Sequence, residues 1–191
     1  MNYDSSTPSS LLVQCRKNAK GSWETLSTLY GKLIWHWCRT AGLSETDCDE
    51  VYQEVFLSVI RHIHSFHKNK PGQKFRGWLK SITTSRISDF YRKQKKVSQL
   101  IGEIRYHHPL EREIILPDDE VTEKTLLYRQ LMKILRKDFS ERDIEVFKRV
   151  RTSTGLTSRE IGEEFGLTAA TVRQIVYRIQ KQIREEFGDV L

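Results

Sequence analysis

"EEFGLTAATVRQ", running from Glu163 to Gln174, decides how this chain folds. A helix is closed at one glycine and restarted two residues later, and the sign of the charge changes across the break. Glu160, Glu163 and Glu164 stand before it, whereas Arg173, Arg178 and Lys181 follow with no acid until Glu185. Thr157 and Glu160 have the spacing of a capping box, in which each side chain satisfies a backbone N–H that the first helical turn leaves open. Ile161 and Phe165 supply an apolar face, Gly166 suits the left-handed conformation that ends a helix, Leu167 fills the turn, and Thr168 caps the next helix. The pattern is a helix-turn-helix.

On its second helix Val172, Val176, Ile179 and Ile183 recur at helical spacing and are expected to face the core. The other side, after Thr171, carries Arg173, Gln174, Tyr177, Arg178 and Lys181. Such side chains suit duplex DNA: Arg bonds guanine bidentately, Gln bonds adenine, and either cation neutralises phosphate. The acids of the first helix would hold that helix away from the phosphates, leaving the second as the reader.

Outward from this motif the chain reads as almost wholly helical. Its 191 residues contain few glycines and prolines, and apolar residues recur three and four apart. Trp23, Leu26, Tyr30, Leu33, Ile34 and Trp37 form one stripe that Gly42 ends. Ser44 or Asp47 can cap the next helix, whose apolar side is Val51, Val55, Val59 and Ile63. After the polar loop HKNKPGQ a third helix is expected from near Phe75 to about Lys96. From Val97 to about Thr122 the periodicity fails, and the acids Glu111, Glu113, Asp118, Asp119 and Glu120 read as a linker. Periodicity resumes with Leu126, Leu127, Leu131, Ile134 and Leu135, and continues through Ile144 and Phe147. The expectation is an all-α protein of two small helical domains, residues 1–97 and 123–191, joined by a linker at 98–122.

A net charge of +7 and a pI near 9.3 point to a polyanion or an acidic surface. Most of that charge lies between Lys70 and Lys96, where Lys74, Arg76, Lys80, Arg86, Arg92, Lys93 and Lys95 are opposed by Asp89 alone. Phe75, Trp78, Phe90 and Tyr91 are interleaved. Cations for phosphates and flat rings for unstacked bases suit a single nucleic-acid strand. Phe75, Trp78, Leu79, Ile82 and Ile87 also make a plausible core face, so most of the aromatics are expected inside and the cations outside. The preceding helix is the electrostatic opposite: Glu45, Asp47, Asp49, Glu50 and Glu54 are unopposed by any base, and Leu57 is set among them with Gln53. An apolar residue on an acidic face suggests a docking surface for a basic protein partner.

No run approaches the roughly 20 apolar residues of a membrane span, and the start, MNYDSSTPSSLLVQC, lacks a secretory pattern. A cytoplasmic protein with no membrane partner is expected. Cys15, Cys38 and Cys48 have no CxxC spacing and read as reduced, partly buried thiols. His62, His64 and His67 do not share one helical face and lack a nearby carboxylate pair, so neither a metal nor any other cofactor is expected, and no enzymatic activity.

"DCDEVYQEVFLSVIRHIHSF", "KFRGWLKSITTSRISDFYRKQKK" and, after the linker, "FSERDIEVFKRV" with "LTSREIGEEFGLTAATVRQIVYRIQKQI" resemble regions two and four of the extracytoplasmic-function sigma factors of bacterial RNA polymerase. The resemblance implies a core-polymerase docking face at Asp49, Gln53, Glu54 and Leu57. It implies capture of the melted minus-10 strand by Lys74, Arg76, Trp78, Ser85, Arg86, Asp89, Arg92 and Lys93, and reading of the duplex minus-35 element by the helix-turn-helix. It also admits an anti-sigma factor as a regulator. Ser85 stands where the family often has Asn and Thr84 where a base is common; Ala170 replaces a usual Gly and Ile175 a frequent Arg, which is expected to remove a phosphate contact. The alternative is a helix-turn-helix transcriptional regulator binding duplex DNA with a sensory first domain, which predicts a ligand pocket in that domain and leaves the basic helix unexplained.

Overall fold

The computed structural model describes residues 10–66, 74–101, 116 and 119–188. Among them the secondary structure is helical: α1 Ser10–Arg16, α2 Ser22–Thr40, α3 Glu45–His62, α4 Phe75–Ile101, α5 Glu120–Leu135, α6 Glu141–Thr152, α7 Ser158–Phe165 and α8 Ala169–Gln182, with a π-helical turn at Ile183–Phe187. The all-α expectation holds. The HKNKPGQ loop, with His67 and Lys70, and the acids Glu111, Glu113 and Asp118 lie outside the described residues.

The chain divides into two compact units, Tyr30–Glu123 and Met1–Leu29 with Lys124–Leu191. The division differs from the expected one at the N-terminus. Residues 10–29 group with the C-terminal lobe because α1 packs on the π-helical turn. Leu11, Leu12 and Cys15 on one side, and Ile183 and Phe187 on the other, are all buried. Each fully buried aliphatic or aromatic side chain of this kind contributes about 1.5–3 kcal/mol. The expected linker is also shorter at both ends, since α4 continues to Ile101 and α5 begins at Glu120.

In the Tyr30–Glu123 unit, Gly42 takes φ +87° after α2, and Ser44 caps α3 by accepting from the N–H of Asp47 at 3.2 Å. Helix α3 packs on α4. Val51, Val55, Val59 and Ile63 meet Leu79, Ile87, Phe90 and Tyr91 in the core, and Cys38 and Cys48 are wholly buried there. Phe75 lies edge-on to Tyr30 at 5.1 Å and to Phe66 at 5.4 Å, and Trp78 joins the cluster 5.1 Å from Phe66. Most of the α4 aromatics are therefore core, as expected. Ile82, expected to be buried, is not. Steps from Leu79 to Ile87 put Thr83 on the inner face instead, where its hydroxyl donates to the Leu79 carbonyl at 2.9 Å.

The other unit is held by Leu127, Leu131, Leu135, Ile144, Phe147, Ile161, Val172 and Ile179. The capping box is present: Thr157 Oγ1 accepts from Glu160 N, and Glu160 Oε2 accepts from Thr157 N at 2.7 Å. Gly166 takes φ 65°, and Thr168 caps α8 by accepting from Thr171 N.

Candidate polymerase and nucleic-acid interfaces

Helix α8 buries Val172, Ile175 and Ile179, and the π-helical turn after it buries Ile183, while Val176 is only half-buried. This corrects the reading of Ile175. It is 6% exposed and belongs to the core, so its being Ile removes no phosphate contact. Arg173, Gln174, Tyr177, Arg178 and Lys181 lie on the exposed side as expected, and Tyr177 is 61% exposed. Arg178 stacks over Phe139, with its guanidinium carbon 5.5 Å from the ring centroid, and Lys181 lies 4.0 Å from Glu185. Thr171 is half-buried, its hydroxyl 2.8 Å from that of Thr168, so it serves the cap.

The acids before the turn are each engaged. Glu160 closes the capping box, and the Thr157 backbone N–H it accepts holds its carboxyl below the ordinary range. Glu163 pairs with Arg159 at 3.1 Å, and Glu164 with Arg149 of α6 at 2.8 Å. The change of sign across Gly166 thus separates a helix whose acids are all engaged, Glu160 without a cation, from one whose leading arginine and glutamine make no hydrogen bond or ion pair among the described residues. Sequence reasoning missed Gly162. A Cβ there would stand 2.5 Å from the carbonyl oxygen of Leu167, so only glycine lets α7 come this close to the turn.

In the other unit, a rotation of about 100° per residue brings Asp49, Gln53 and Leu57 onto one face of α3. Ile60, absent from the expected set, lies on the same face. Leu57 and Ile60 are 44% and 46% exposed, making an apolar step at the C-terminal end of the acidic face. Glu54 is turned away from this face. With Glu50 it borders a groove of about 250 Å³ whose far wall is Arg86, Asp89, Arg92, Lys93 and Lys96 of α4.

Of the strand-binding set, Ser85, Arg92 and Lys93 are exposed. Asp89 organises its neighbours, accepting from Arg86 at 3.0 Å and lying 3.4 Å from Arg92. Lys74 precedes α4 and is exposed, whereas Trp78 is half-buried in the aromatic cluster. Arg76 lies elsewhere. It is half a helical rotation from Ser85, and its Nε stands 3.5 Å from Glu123 Oε2.

No group of three or more His, Cys, Asp or Glu side chains that could hold a metal occurs among the described residues. No described helix is long and apolar enough to cross a membrane.

Residues 26–97 match the family Sigma-70 region 2. The chain is 22% identical over 179 residues to the RNA polymerase sigma factor CnrH of Cupriavidus metallidurans, covering 91% of this chain and 90% of that protein. It is 25% identical over 170 residues to the ECF RNA polymerase sigma factor SigE of Mycolicibacterium smegmatis, covering 87% of this chain and 62% of the relative. Against the RNA polymerase sigma factor SigZ of Bacillus subtilis it is 24% identical over 138 residues, 72% of this chain and 70% of the other. Among solved structures, CnrH in complex with the cytosolic domain of CnrY covers 91% of this chain and 92% of its own, at 18% identity and a TM-score of 0.38. Residues 26–97 thus match a sigma-factor region, and over most of its length the chain is similar to RNA polymerase sigma factors, one of them named an ECF sigma factor.

Proposed function

We propose that this chain is an extracytoplasmic-function sigma factor that docks on core RNA polymerase through Asp49, Gln53, Leu57 and Ile60, with Glu54 at the margin. In this reading it reads the duplex minus-35 element with Arg173, Gln174, Tyr177, Arg178 and Lys181, and captures the melted minus-10 strand along α4. Residues 1–97 are proposed to carry the docking and strand capture and residues 123–191 the minus-35 reading, with Thr171 holding the start of α8. The chain performs no chemistry. It lends a sequence preference to an enzyme and holds open the strand that the enzyme must copy.

The observation that carries the reading is the exposed side of α8. It presents five polar side chains of the types that bond base edges and phosphates, on a helix whose other side is locked in the core. In the other unit, α3 offers an apolar step beside acids, a surface for a basic protein partner. On α4, unpaired bases would meet Trp78 and the exposed cations Lys74, Arg92 and Lys93, with Ser85 and Arg86 beside them. By the family resemblance, an anti-sigma factor that covers one of these faces would keep the chain silent.

Run-off transcription with purified core polymerase on a library of genomic fragments tests the whole reading. Discrete starts that need this chain are expected. Identical products with and without it would overturn the proposal.

A further inference from the structure

The turn that joins α5 to α6 reaches the exposed side of α8. The guanidinium carbon of Arg178 stands over Phe139, 5.5 Å from the ring centroid, and Asp138 accepts from the side-chain amide of Gln182 at 2.8 Å. Arg178 and Gln182 are four residues apart, so both ties fall on one stripe of the helix. Arg178 is exposed, and it makes no hydrogen bond or ion pair among the described residues. Its recorded partner is a ring.

The turn is itself fixed. The backbone N–H groups of Asp138 and Phe139 both donate to the Leu135 carbonyl at 3.0 Å, and Ser140 caps α6 by accepting from Asp143 N at 3.2 Å. Across the turn the Arg136 guanidinium donates to both carboxylate oxygens of Glu141, at 2.9 Å each. Phe139 is half-buried between these anchors, so its ring is in place before any ligand arrives.

We propose that Phe139 is a positioning residue for DNA recognition, holding the Arg178 guanidinium where α8 meets the duplex. The inference rests on the reading of α8 as the duplex-reading helix and adds a residue from outside the helix-turn-helix. A guanidinium attracted to the face of a ring commits no hydrogen bond to that contact, so its N–H donors stay available. Those donors bond a guanine edge or a phosphate. A long side chain free in water loses rotamer freedom when DNA orders it, and a ring that already holds it removes part of that loss. Asp138 supports the arrangement by tying the same turn to α8 one helical turn further on.

The full chain, assembled with core polymerase, can be titrated against a labelled duplex spanning one of the promoters found by run-off transcription. The variants are Phe139→Leu, Phe139→Tyr, Arg178→Ala and Phe139→Leu with Arg178→Ala. Phe139→Leu keeps an apolar side chain in the half-buried seat and removes the ring. It should weaken binding about two- to fivefold. Phe139→Tyr, which keeps the ring, should bind as the wild type does. In the Arg178→Ala background Phe139→Leu should change nothing further, because the contact it removes is already gone. Circular dichroism checks folding, and Phe139→Met replaces Phe139→Leu in the cycle if the latter unfolds. Weaker binding by Arg178→Ala alone, with Phe139→Leu unchanged or equally harmful in both backgrounds, overturns the inference and leaves the reading of α8 standing. Unchanged binding by Arg178→Ala would instead remove Arg178 from the DNA interface, and the role of Phe139 with it.

Discussion

The backbone N–H of Leu167 donates to the carbonyl of Gly162 at 2.7 Å, and the Leu167 carbonyl oxygen lies 2.5 Å from where a Cβ on Gly162 would stand. The turn between α7 and α8 is therefore closed onto a glycine inside the helix, in addition to the one that ends it. Gly162→Ala should cost about 1–3 kcal/mol of stability, because the colliding atom is backbone and cannot swing away. Gly166→Ala meets open space but must hold φ 65°, at a cost of about 1–2 kcal/mol. Urea unfolding measures both. The distinguishing outcome is DNA binding at matched folded fraction: Gly162→Ala should lose it, having displaced α8, whereas Gly166→Ala should keep it.

Arg173 projects from the first turns of α8 with no ion pair among the described residues. Arg173→Ala should weaken promoter binding by about 1–3 kcal/mol and relax selectivity at one base position. Binding to a panel of single-base promoter variants checks it. A uniform loss across the panel would assign Arg173 to a phosphate.

Leu57 and Ile60 form the apolar step on α3. Leu57→Asp or Ile60→Asp should each weaken association with core polymerase by about 2 kcal/mol, as expected of anchors at the centre of an interface, while leaving thermal stability nearly unchanged. Size-exclusion binding with purified core enzyme reads the first effect and calorimetry the second. Full-strength complexes of both variants would remove the docking face from α3.

Burial pushes the Cys38 thiol up to about 12 from its ordinary 9.0, with neighbouring Cys48 adding to the rise. An unfolded chain would ionise this thiol near 9.0, whereas the folded one holds the proton to about 12. The thiol's contribution to stability is therefore complete below about pH 9 and is lost as pH rises toward about 12. Tyr91 and Tyr128, also raised by burial, act in the same direction. Denaturant midpoints measured against pH should fall more gently for Cys38→Ala than for the wild type above pH 9. Superimposable profiles would exclude the thiol as a cause.

Short-range chemistry was legible in the chain. Thr157 and Glu160, Gly166 and Thr168 act within three or four residues of their partners, so their spacing announces the helix-turn-helix before any packing is known. Tertiary choices were less so. Whether Ile175 or Val176 completes the inner face of α8 depends on how the helix rolls against α6 and α7, and both assignments preserve helical periodicity. Thr83 displaced Ile82 inside α4 for the same reason. Trp37 and Glu123 are 86 residues apart, so no local pattern could pair them, and Arg76 looked like one more cation among many. Ile60 was within reach: it continues the spacing of Gln53 and Leu57, and an apolar residue exposed beside acids was the signal.

The contact of α1 with Ile183–Phe187 bears on how the molecule can be dissected. A fragment cut to begin at residue 123 would carry the helices proposed to read the promoter yet expose Ile183 and Phe187 to water, inviting aggregation that mimics a functional defect. Supplying residues 10–29 as a separate peptide offers a route to reconstitution in two pieces, with Leu11, Leu12 and Cys15 as the adhesive surface.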